Sequence, residues 1–102
     1  MAYSNTAEAI EALAAEIGDN LYIDVANWHL YLREAHLHTA LAEQIYPLLS
    51  QGLPSDADLK ALMKAMKVKV GGGKLELSLA DLIPPNAQGE LLRVVETFYD
   101  SL

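Results

Sequence analysis

The chain has 102 residues, 52% of them hydrophobic, with fourteen acids against seven lysines and arginines and a formal charge of −7. That length is one domain's worth, and a chain of this size buries roughly two thirds of the surface its unfolded form exposes. The absence of cysteine excludes disulfides, thiolate metal sites and cysteine nucleophiles, and the acidic balance makes nucleic acid an unfavoured partner.

No apolar run reaches the length that spans a bilayer. The first sixteen residues carry acids where an export signal would carry lysines. The cytoplasm or a membrane surface facing it is therefore the expected location.

Asn5 and Glu8 form a capping pair for a first helix with Ile10, Leu13, Ala14 and Ile17 inward, and Gly18 is expected to end it. The next stretch admits two readings. Leu21, Val25, Trp28, Leu32 and Ala35 keep helical spacing, whereas Tyr22, Ile23 and Val25 are strand formers. The longer period favours a second helix, and because Tyr22, Ile23, Leu30 and Tyr31 add apolar bulk to its other faces, a homodimer becomes a candidate assembly. Thr39 is expected to cap a third helix with Leu41, Ile45, Leu48 and Leu49 inward. Pro47 should break it near Tyr46. Asn86 is expected to cap a last helix with Leu91, Val95, Phe98 and Leu102 inward.

Between these lies the basic part of the chain. Residues 60–74 hold five lysines and no acid, so this segment is +5 in a background of −12. Ser55 and Asp58 form an N-cap pair for a helix with Leu59, Leu62, Met63 and Met66 on one face. The period then changes to two. Val68 and Val70 alternate with Lys69, and Leu75, Leu77 and Leu79 repeat the alternation beyond three glycines. A tight turn at Gly72-Gly73 pairs Val70 with Leu75, Lys69 with Glu76 and Val68 with Leu77. Ser78 and Asp81 cap a short turn that Pro84-Pro85 closes. The expected fold is mainly α with a small antiparallel β-hairpin (α+β): one domain over residues 1–102, about five helices, and the hairpin near Val68–Val70 and Leu75–Leu79.

Reaction chemistry is sparse, and no catalytic residue is expected. His29, His36 and His38 with Glu34 are weak candidates for a metal or small-ligand site; the bland reading is surface histidines around a helix end, and no metal or other cofactor is expected. Gly71-Gly72-Gly73-Lys74 lacks the spacing and following helix of a phosphate-binding loop. The helix and hairpin resemble the recognition helix and wing of a winged-helix module, but no Arg/Asn/Gln set is placed to read bases. Partner contact is expected instead, through Lys60, Lys64, Lys67, Lys69 and Lys74 against an anionic membrane surface or an acidic protein, with Tyr22 and Tyr31 as aromatic anchors.

The strings IGDNLYIDVANWHLYLREAHLHTALAEQIYPLL and VKVGGGKLELSLADLIP resemble a family of small uncharacterised cyanobacterial proteins described as thylakoid-associated. The resemblance runs from Ala9 into the last helix. It implies a peripheral location at the thylakoid membrane and assigns no catalytic residues, which leaves a non-enzymatic adaptor or assembly role as the expectation.

Overall fold

The computed structural model describes residues 6–25, 28–70, 73 and 75–101, with the backbone alone for Val25, Trp28 and Val70. Asn5, the glycines at 71 and 72, Lys74 and Leu102 lie outside the described residues, as does the Trp28 side chain. Helix α1 (Thr6–Asn20) leads into strands β1 (Tyr22–Val25) and β2 (Trp28–Tyr31). Helix α2 (His38–Ile45) continues as a 3-10 helix over Tyr46–Gln51, followed by α3 (Asp56–Ala65). Strands β3 (Lys67–Val70) and β4 (Leu75–Ser78) then precede the one-turn α4 (Leu79–Leu82) and the terminal α5 (Pro85–Asp100). The two strand pairs are separate antiparallel ribbons. The architecture is mainly α with small β elements, as the sequence implies.

The helices bury the faces that their spacing selects. Leu13, Ala14 and Ile17 of α1, Leu41 and Ile45 of α2, Leu59 and Met63 of α3, and Leu91, Val95 and Phe98 of α5 join one hydrophobic cluster. Helix α1 packs mainly on α2 and α5. Pro47 stands at the start of the 3-10 helix, where α2 has ended at Ile45; lacking an N–H, it cannot continue the α-helical ladder. Ser55 Oγ accepts from Asp58 N, and Ser55 N donates to Asp58 Oδ2, both at 3.1 Å. Asp58 and Asp56 also favour the positive end of α3.

The expected second helix is instead the ribbon β1–β2. Its ladder pairs Tyr22 with Tyr31, Ile23 with Leu30, Asp24 with His29 and Val25 with Trp28. One further step along, Leu32 N donates to Leu21 O at 2.9 Å. The residues that suggest a helical stripe, Leu21, Val25, Trp28 and Leu32, are thus two sets of cross-strand neighbours. Leu21 and Leu32 are fully buried and Ile23 nearly so. With the helix goes the all-round apolar surface that suggested a homodimer.

Three smaller expectations are corrected. Gly18 lies inside α1, which runs on to Asn20; a Cβ at Gly18 would meet Arg33 Cβ at 3.0 Å and His38 Cβ at 3.2 Å. The glycine therefore serves close packing of the 33–38 turn on α1. Leu37, not Thr39, is the N-cap position of α2, and no side chain caps it. Pro84 precedes α5 with Pro85 at its first turn, where a missing N–H costs nothing; Asn86 Nδ2 is then free to donate to Tyr22 OH at 2.9 Å.

Candidate functional site

The basic ribbon is built from its base outward. Met66 leaves α3 in an extended conformation, which starts β3. Leu79 N donates to Met66 O at 2.8 Å, so the two ends of the ribbon are tied together. Ser78, 6% exposed, accepts from Asp81 N at 3.3 Å and donates to Asp81 Oδ2 at 2.8 Å. That cap fixes the exit of β4 into α4. The register is Lys67 with Ser78, Val68 with Leu77, Lys69 with Glu76 and Val70 with Leu75, as the glycine turn implies. Gly73 has φ +87°, a value glycine adopts without a Cβ penalty.

Alternation along β3 puts Lys67 and Lys69 on one side of the ribbon and Val68 on the other. Val68 and Leu77 are half-buried, while Leu75 is 54% exposed. Burial thus falls along β4 from the tied base to Leu75. Lys60 is paired with Asp56 at 3.0 Å. Among the described residues, Lys64, Lys67 and Lys69 are exposed and form no ion pair, although Lys69 stands opposite Glu76 in the ladder. Lys64 lies in the last turn of α3, where the helix dipole favours a cation. Lys74 lies outside the described residues.

The β1–β2 ribbon carries Tyr22 and Tyr31, the two tyrosines expected as anchors. Tyr22, Asp24, His29 and Tyr31 occupy its outward side, opposite Ile23 and half-buried Leu30. The rings of Tyr22 and His29 lie 4.2 Å apart, and Tyr31 meets both edge-on at 6.1 and 5.9 Å. His29 Nδ1 donates to Asp24 Oδ1 at 2.8 Å; a carboxylate can only accept, so this nitrogen carries the proton. Tyr31 is 43% exposed. Tyr22 is half-buried and held by Asn86. The Asp24–His29 and Tyr22–Asn86 contacts escape a helical reading of the sequence, since only strand alternation aligns them.

The other histidines do not converge with His29. His36 sits in the turn before α2 at φ +60°, and His38 Nδ1 is buried without a hydrogen-bond partner. Among the described residues no three His, Asp or Glu side chains gather as metal ligands. A shallow groove of about 360 Å³ runs between α1 and α5, lined by Glu16, Asn20, Arg93 and Thr97 among others. Its Arg93 is already held by Glu90 at 3.2 Å. Among the described residues, no helix is long and apolar enough to cross a membrane.

Fold and surface together define a small mainly α domain bearing two short antiparallel ribbons, one basic and one aromatic. The chain belongs to the DUF3181 family of proteins of unknown function, whose pattern matches residues 10–98. It is 44% identical over 95 residues to the thylakoid-associated protein slr0729 of Synechocystis sp., covering 93% of this chain and 94% of that relative. The resemblance read from the WHLYL and VKVGGGK strings is thereby established as kinship with a cyanobacterial, thylakoid-associated protein. No solved structure matches the chain.

Proposed function

We propose that this protein is a non-enzymatic docking or assembly protein that sits peripherally on the thylakoid, with the β3–β4 ribbon and the end of α3 against its anionic lipid surface. The carrying observation is that Lys64, Lys67 and Lys69 are exposed and, among the described residues, form no ion pair, on one continuous stretch of an otherwise acidic chain. The name of the Synechocystis relative, a thylakoid-associated protein, agrees with that location. Each lysine near an anionic bilayer contributes about 1 kcal/mol. Three such lysines then supply on the order of a hundredfold in partition coefficient.

The net charge of −7 does not cancel this attraction when the molecule is oriented. Repulsion decays over a Debye length of about 10 Å at 0.1 M salt, and the molecule extends 40 × 24 × 19 Å. Acids farther than that from the ribbon are therefore screened, whereas Glu76, opposite Lys69 in the ladder, opposes the attraction. Binding of this kind is weak, reversible and sensitive to salt.

The test is sedimentation with vesicles containing anionic lipid and with purely zwitterionic vesicles, each at low and high salt. The wild type should bind only the anionic vesicles and release as salt rises. The double variant Lys67→Gln/Lys69→Gln should bind at least tenfold more weakly. Equal binding by variant and wild type, or binding without regard to lipid charge, rules the reading out.

A further inference from the structure

We infer that Leu75 is an apolar anchor that enters the lipid interface when the lysines dock. This rests on the docking reading above. Leu75 follows the turn at Gly73 and is 54% exposed, the most exposed of the large apolar side chains described. A single exposed leucine on a protein surface is ordinary; its position makes this one different.

It stands at the far end of β4 from a base fixed by the Met66–Leu79 hydrogen bond and the Ser78 cap. Its neighbours on the same side, Val68 and Leu77, are half-buried, so among the described side chains on that side Leu75 is the exposed one. Lys67 and Lys69 occupy the opposite side. Their long stems let the ammonium groups stay at head-group level while Leu75 goes deeper. Apolar depth beside cationic reach is the combination that an anionic bilayer interface accommodates. An acidic protein surface would satisfy the lysines without needing an apolar tip.

Moving a half-exposed leucine from water into the interface is worth about tenfold in partition coefficient. The sequence contains no cysteine, so Leu75→Cys can carry one environment-sensitive fluorophore, with Tyr31→Cys as the matched site on the other ribbon. On anionic vesicles the label at residue 75 should shift to the blue and be quenched by bilayer-embedded quencher, whereas the label at 31 should do neither. Unlabelled Leu75→Ser should bind about tenfold more weakly with an unchanged thermal midpoint. Vesicle binding with the label at 75 still in water, or Leu75→Ser binding like the wild type, overturns the anchor and leaves lysine docking intact. Failure of the wild type to bind anionic vesicles overturns both.

Discussion

The two ribbons have the same length and nearly the same construction, yet the fold uses them in opposite ways. In β1–β2 the inner side is sealed: Ile23 is 5% exposed and the flanking Leu21 and Leu32 are fully buried. Its outer side is held by Tyr22–Asn86 and Asp24–His29 hydrogen bonds. In β3–β4 the base is tied and Val68 and Leu77 pack partly on the core, but Leu75 is open to solvent and, among the described residues, the outer lysines Lys67 and Lys69 form no ion pair. A two-stranded ribbon is marginal by itself in water. The first is therefore part of the folded body, whereas the second is tied to that body at its base and open to solvent at Leu75.

Substitutions should separate the two ribbons sharply. Leu32→Ala removes a fully buried side chain and should cost about 2–5 kcal/mol, while Leu75→Ala should change stability by no more than about 0.5 kcal/mol. Urea unfolding of both variants checks this; equal losses would place the ribbons in the same structural class. Gly18→Ala tests the seat of the turn that follows the first ribbon. Alanine gains about 1 kcal/mol of helix propensity, but crowding Arg33 and His38 costs about 1–3 kcal/mol, so the melting temperature should fall.

Ser55→Ala probes the entry to the helix that carries the second ribbon. It should cost about 1 kcal/mol without changing vesicle binding of the folded protein. Asn86→Ala should cost about 0.5–1.5 kcal/mol through the lost bond to Tyr22, and would sharpen the view that the first ribbon is pinned. The smallest effect belongs to His36, at φ +60°. Glycine removes strain of about 1–2 kcal/mol at an entropic cost of about 0.5–1 kcal/mol, so His36→Gly should be slightly stabilising in the same melts.

The second ribbon is legible in the sequence because its signals are local. Glycines mark the turn, valines and leucines alternate with charge on both sides of it, and only one register aligns Lys69 with Glu76. The Ser55–Asp58 box and the break at Pro47 are local too. The first ribbon hides because its register places Leu21 beside Leu32 and Val25 beside Trp28, and those four positions also fit a helical stripe. The alternation Tyr22, Ile23, Asp24 is the signal that separates the readings, but it spans too few residues to outweigh the longer period. Gly18 misleads for another reason: its neighbours Arg33 and His38 arrive from a different part of the chain. Nor does local sequence tell that Leu75 is exposed while Leu77 is half covered, because α3 and α4 supply the cover.

The comparison of the ribbons turns on one quantity, the partition coefficient onto anionic vesicles. It should be measured side by side for the wild type, for Lys64→Gln/Lys67→Gln/Lys69→Gln, and for Tyr31→Ala. The account predicts a loss on the order of a hundredfold for the lysine variant and wild-type binding for Tyr31→Ala. Retained binding by the lysine variant, or a comparable loss from Tyr31→Ala, would contradict it.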